Sequence, residues 1–224
     1  MHDRSIGKFV YDIVIAVVGG VAVGVSLIIF SPLVVERFAI VLPSCDNPVG
    51  LSSMRLDQMY RDHELTIKAS SVAIPPQGYQ RDLWKAANVI DGSPGTPWVP
   101  DDHDNKRRLT LSFNRKHDPR LICVVNGQAS DSWSYLRSQR IRTAYVYTHN
   151  NSGLLAPLRT LGEYDLQNRQ PLNFTKGKTK SITIEITQVY QGRKVYDPDQ
   201  KRYVDPVHHV ALGEIEIYEK DPHA

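Results

Sequence analysis

Three tryptophans and one turn-rich loop hold most of the chemistry this chain offers. Trp84 (RDLWKAAN) and Trp133 (SDSWSYLR) stand among polar and charged neighbours. An indole in that setting presents a flat apolar face with an N–H at its edge, which suits the C–H face of a pyranose ring. Packing at the rim of a core is the other use of the same side chain. Tyr79, Asn126, Tyr135 and Arg140 are the residues that would add hydrogen bonds to a ligand held on these rings. The stretch Asp91-Gly92-Ser93-Pro94-Gly95-Thr96-Pro97-Trp98 reads as a tight, rigid loop. Asp91 and Thr96 can turn oxygen atoms to its inner side, and Trp98 either packs at the end of a domain or adds a third stacking face.

No set of residues points to catalysis. G-x-S-x-G, H-E-x-x-H and a phosphate-cradling glycine loop are all missing from the sequence. His208 and His209 are adjacent, so on a strand they would face opposite ways and could not share a metal. Glu214 and Glu216 lie on one face of a predicted strand, with nothing to set a second carboxylate across from them for glycoside hydrolysis. Asp101-Asp102-His103-Asp104, followed by Lys106-Arg107-Arg108, reads as a solvated loop. The remaining basic residues, among them Arg137, Arg193 and Lys194, are scattered rather than banded. A net charge of +3, from 27 Lys+Arg against 24 Asp+Glu, likewise speaks against nucleic-acid binding. A binding module is expected, not an enzyme.

The elements that must position these residues are short strands. Arg108–Phe113 alternates with Leu109, Leu111 and Phe113 on one face, and SITIEITQVY (181–190) and GEIEIYE (213–219) keep the same period of two. Leu121–Val125 is a continuous apolar run that suits a strand covered on both faces. Ile141–Tyr147 is a further strand, and Thr66–Ala73 and Leu161–Phe174 are weaker ones. Clusters of Gly, Pro, Asn and Asp at 75–78, 91–100, 150–153 and 197–206 separate them. Helix periodicity after residue 43 is confined to a turn or two at Leu51–Tyr60. This pattern predicts an all-β, antiparallel jelly-roll sandwich.

The strand-rich part accounts for only some of the apolar content. Of 224 residues 41% are apolar, yet the 34 residues Phe9–Leu42 contain 25 of them. Ile13–Phe30 carries no charge over 18 residues, and continuing to Val35 gives 23, enough to span a hydrocarbon core of about 30 Å. The expected organisation is therefore a short cytoplasmic N-terminus (1–12), one transmembrane α-helix (13–35), a linker or collar (36–64) and a sandwich (65–220). The run is too long for a signal peptide and lacks a small-residue cleavage site. Arg4 and Lys8 before it, against Arg37 after it, place the C-terminal domain outside the cytoplasm. Gly20 and Gly24 form a G-x-x-x-G that would allow weak self-association of two spans.

The order of motifs adds a family resemblance. Ala69-Ser70-Ser71, then Asn88-Val89-Ile90-Asp91-Gly92 through Thr96 to Trp98, then Leu109–Phe113, a strand ending in Asn126-Gly127, and Ala211-Leu212-Gly213-Glu214-Ile215 follow one another. This order resembles discoidin-like domains, the galactose-binding-like jelly rolls of coagulation factors five and eight (F5/8 type C) and of bacterial carbohydrate-binding modules. It is most similar to the branch named for the translocation domain of streptococcal NAD glycohydrolase, in which Tyr and a basic segment follow Asn-Gly, here Tyr135 and Arg140-Ile141-Arg142.

The resemblance implies a non-catalytic module. Its ligand would be carbohydrate or another surface ligand, held by end loops bearing Trp84, Trp98 and Trp133 with Tyr135, Asn126 and Arg140. It also implies a structural calcium held by Asp91, Thr96 and Glu214, although Ser93 stands where the family often has Asp or Asn. Without the metal, the same loop is held by Asp91 on backbone N–H groups. A scaffold subunit gripping a protein partner is the second expectation. Cys45 and Cys123, the two thiols, either bridge the collar to the sandwich or remain free, Cys123 being buried in its strand.

Overall fold

The computed structural model describes residues 43–78, 80–148, 153–159 and 168–221. The N-terminal segment, the 13–35 span, Gly20, Gly24 and Tyr79 lie outside the described residues. Among those described, no helix is long and apolar enough to cross a membrane.

Strand periodicity translates directly into burial. In β3 (Arg108–His117) the side chains of Leu109, Leu111 and Phe113 are buried, and in β8 (Thr179–Tyr190) those of Ile182, Ile184 and Ile186. These two strands pair antiparallel and are joined by β2 (Leu65–Ala69) on one side. On the other side come β5 (Gln139–Tyr147) and β6 (Leu154–Pro157), which complete the first sheet. The second sheet holds β4 (Pro119–Asn126), β7 (Arg169–Pro171), β11 (Val210–Lys220) and β1 (Leu51–Ser53). The continuous run in β4 is covered on both faces: Ile122 and Val124 enter the main core, while Leu121 and Cys123 pack with Cys45 and Tyr218.

β11 joins the two sheets. Val210 and Ala211 pair in parallel with Gln139 and Arg140 of β5, and from Leu212 the strand pairs antiparallel with β4. A bulge between Leu212 and Glu214 marks the change of partner. Gly213 occupies it because a Cβ there would lie 3.0 Å from the carbonyl oxygens of both Gly127 and Pro94. The bulge re-aims the next side chain, Glu214.

Two expectations are corrected. Residues 43–64 are part of the domain and not a linker: β1 pairs with the end of β11 (Leu51 opposite Lys220), and the helix α1 (Leu56–Arg61) buries Leu56. Cys45 is bonded to Cys123, 78 positions away, and holds this segment on the second sheet. The spaced apolar residues Leu51, Met54, Leu56 and Met59 supply the reason, since each is packed against a core cluster or belongs to one. The second correction is a helix between the β4 end and β5, α2 (Ser132–Arg137). Of the segment Leu161–Phe174, only β7 is a strand among the described residues.

Candidate functional site

The Asp91 loop organises itself. A 3-10 turn over Ala86–Ile90 delivers Asp91, whose Oδ1 accepts the N–H of Ser93 at 2.7 Å. The Thr96 hydroxyl donates to Asp91 Oδ2 at 2.7 Å and to the Ser93 carbonyl at 2.9 Å. Glu214, aimed here by the bulge, is 6% exposed, and its Oε2 has no hydrogen-bond partner. Burial, then the charges of Asp91 and Glu216, push its pKa up to about 8, against the Gly92 and Ser93 N–H groups that pull it down. A cleft of about 290 Å³ opens beside it, lined also by Asp91, Gly92 and Asp57.

A hard cation fits this pair in charge: it would satisfy the orphaned Oε2 and let Asp91 and Glu214 ionise together. The donor set is short of carboxylates, however. No group of three or more His, Cys, Asp or Glu side chains converges among the described residues, and both Asp91 oxygens already serve the loop. Backbone carbonyls would have to supply the rest of a calcium shell.

Five of the six residues expected to bind ligand are buried in the fold, and four of them, all but Trp84, line neither of the clefts beside Trp133. Trp98 is fully buried, and its indole N–H donates to the Ser71 carbonyl at 3.0 Å. Its backbone bridges to Leu212 at the end of the sandwich, so it offers no stacking face. Asn126 uses its amide as a strand partner: Nδ2 donates to the Ile141 carbonyl and Oδ1 accepts the Ile141 N–H, both at 2.8 Å. Tyr135 is fully buried beneath the Arg140 guanidinium, which lies 4.9 Å from its ring centroid. Gly127, at φ +90°, lets the chain turn over this pair, since a Cβ would come within 2.9 Å of Arg140 Cγ and 3.1 Å of the Tyr135 ring. The Asn-Gly, Tyr and Arg positions thus pack together inside the sandwich, with the Asn126 amide and the terminal Arg140 nitrogens bonded to backbone.

Trp84 and Trp133 do meet at a cleft. Trp84 is 5% exposed, with its ring centroid 5.0 Å from that of His209 and its indole N–H unpartnered. Trp133 is half-buried on α2, and Arg137, one turn on, lays its guanidinium 4.1 Å from the ring centroid. Between them lies a cleft of about 340 Å³, with Pro76, Gln128 and Ser134 completing the walls. A second cleft, of about 490 Å³, borders the other side of Trp133 and runs along Arg193, Lys194 and Tyr196.

Sequence reading takes Arg137, Arg193 and Lys194 as scattered surface charge and His209 only as the neighbour of His208, and it does not foresee α2. Its signal was present: Asp131 caps the helix by accepting the Ser134 N–H at 2.7 Å and the Ser134 hydroxyl at 2.8 Å. Burial raises the Asp131 carboxyl, but these donors and Ser130 outweigh it and hold the group below the usual carboxylate range. With the helix recognised, Trp133 and Arg137 would have stood at i,i+4 on one face.

The family model described as NAD glycohydrolase translocation F5/8 type C domain matches residues 59–199. No curated protein matches the chain. Among solved structures, the chain is similar to the family 32 carbohydrate-binding module of Clostridium perfringens NanJ in complex with galactose. That pair shares 16% identity over 75% of this chain and 99% of the other, with a TM-score of 0.46. A module of the same family, from a Clostridium perfringens family 31 glycoside hydrolase, shares 13% identity over 75% and 95% (TM-score 0.48). An F5/8 type C domain from Bacteroides fragilis shares 14% over 78% and 99% (TM-score 0.46).

Proposed function

The chain belongs to the family of NAD glycohydrolase translocation F5/8 type C domains, and on that premise we propose that it is a non-catalytic module that binds carbohydrate at the cleft between Trp84 and Trp133. The observation that carries this reading is the convergence of the two rings and His209, from a turn, the helix α2 and the segment before β11, onto one concave surface. Apolar walls with a few convergent polar groups are what a sugar ring needs. Arg137 holds the Trp133 indole from one side, which stiffens it as a platform without occupying the cleft alone. Glycan-array binding of the full chain in detergent is expected to be lost in Trp133→Ala with the fold intact. Unchanged binding in that variant would remove the cleft from consideration.

We propose further that residues 13–35 anchor the chain and that the domain lies outside the cytoplasm. The Cys45–Cys123 bond supports this orientation, because such bonds persist in oxidising compartments. Protease protection on intact vesicles tests it. Calcium at Asp91 and Glu214 would be structural: its charge would stabilise two facing carboxylates under the end loops. The alternative reading is a scaffold that grips a protein, and Ile74, 89% exposed on the strand-to-loop segment beside the cleft residue Pro76, favours it. Recovery of one stoichiometric partner in mild detergent, with no glycan signal, would decide for the scaffold.

A further inference from the structure

We propose that the ligand is an acidic polysaccharide, running from the Trp84–His209 cleft across Trp133 into the second cleft, where Arg193 and Lys194 meet its negative charges. This assignment rests on the carbohydrate reading above and deepens it. Trp133 lines both clefts, so a ligand that crosses this ring enters the first on one side and the second on the other.

The charge of the second cleft is one-sided. Arg193 is exposed at the second cleft, and its guanidinium makes no ion pair among the described residues. Its N–H donates to the Leu136 carbonyl at 2.9 Å. Leu136 is a wall of the same cleft, and behind it lies Arg140, 6% exposed. The Arg140 guanidinium is held by the carbonyls of Tyr135 (2.7 Å), Leu136 (3.4 Å) and Gln191 (3.2 Å), while its Nε has no partner. No carboxylate answers this buried charge among the described residues. Desolvation chiefly disfavours its charged form; Tyr135 acts the other way, and Arg193 adds a smaller repulsion. A second, buried cation thus shares the Leu136 carbonyl with the Arg193 backbone N–H, at a depth where water screens poorly.

The nearby carboxylates are committed elsewhere or face water. Asp197 accepts the N–H groups of Asp199 and Gln200 inside the β9–β10 hairpin (Val195–Asp197, Arg202–Val204), and Asp131 caps α2. Lys194 pairs with Asp205 at 2.9 Å, but both side chains are largely exposed, so a ligand charge can compete for the lysine. Asp199, exposed at the hairpin tip, follows the lining residue Pro198, and Asp102 Oδ1 lies 3.2 Å from Nδ1 of His209 in the first cleft. A polymer carrying regular carboxylates would supply the counter-charge that the wall lacks, whereas a neutral chain would leave it unanswered.

The test is affinity electrophoresis of the full chain in non-ionic detergent through polygalacturonate, hyaluronan and alginate, each beside its carboxyl-reduced counterpart. At least one acidic polymer is expected to bind roughly tenfold or more tightly than its reduced form, with the advantage fading as salt rises. The double variant R193E/K194E, at two exposed positions, is expected to lose that advantage and keep whatever affinity the reduced polymers show. Equal affinity for acidic and reduced polymers overturns the acidic assignment and leaves the carbohydrate reading standing. Binding to none of the six overturns both. Polyglutamate, run at matched charge, separates the polymer classes: if it retards the chain as strongly as the uronates do, the clefts read charge alone and the polysaccharide assignment falls.

Discussion

Glu214 offers the most direct check on the loop at the end of the sandwich. Its carboxyl is held at about 8 in the folded chain against an ordinary 4.5. The folded state therefore keeps a proton that the unfolded state releases, and folding stability falls as pH rises from about 4.5 through 8, then levels off. Fully expressed, the penalty is about 5 kcal/mol; the adjoining cleft admits water that screens the charge, and about half, roughly 2–3 kcal/mol, is expected. Glu214→Gln removes the charge while its carbonyl still accepts the Gly92 and Ser93 N–H groups. The melting temperature of the variant relative to the parent should accordingly rise by about 5–10 °C between pH 5 and pH 8. Any constant cost of the buried amide cancels in that difference. Calcium at a hundredfold excess over its Kd should restore about 2.7 kcal/mol to the parent at pH 8 and nothing to the variant. A gap between parent and variant that stays flat with pH would refute the reasoning, because Glu214 would then ionise as an ordinary carboxyl.

Further outcomes can be checked by equilibrium unfolding. Reducing the Cys45–Cys123 bond releases a loop of 78 positions, for which chain entropy gives about 4 kcal/mol, so the urea midpoint should drop sharply with dithiothreitol. An unchanged midpoint would mean that the bridge constrains little. Asn126→Ala orphans the buried N–H and C=O of Ile141 and should cost about 2–4 kcal/mol. In a variant kept folded at low temperature, glycan affinity should stay unchanged, since Asn126 does not line either cleft; a selective loss of affinity would return it to the binding surface. Trp133→Ala should do the reverse, with melting little altered and binding gone.

Much of the sandwich was legible in the chain because burial on a sheet follows a period of two. Leu109, Leu111 and Phe113, and likewise Ile182, Ile184 and Ile186, announce which face is inward before any partner is known. The Asp91–Trp98 stretch also marks out a turn-rich loop by composition, whereas Ala211–Ile215 reads as a strand and its bulge emerges only from the pairing with β4. The site was less legible for a physical reason. A tryptophan or an arginine has the same letter whether it stacks on solvent or fills a core, and Trp98, Tyr135 and Arg140 turned out to be buried inside the fold. Arg140 in particular reads as a surface cation, yet it is buried on three carbonyls.

What the sequence determined by itself is therefore the material: one long apolar run before residue 43, alternating strands after it, near-neutral charge, and no catalytic set. The tertiary structure decided which residues share a surface. It folded residues 43–64 into the domain by pairing β1 with β11 and bonding Cys45 to Cys123. It also set Trp84, Trp133 and His209, far apart in the chain, around one cleft, and brought Arg193 and Arg140 to the same Leu136 carbonyl. Periodicity and composition are local properties of the chain and can be read along it; the convergence of loops at a sheet end depends on pairings across many residues, which fix it only once the sandwich has closed.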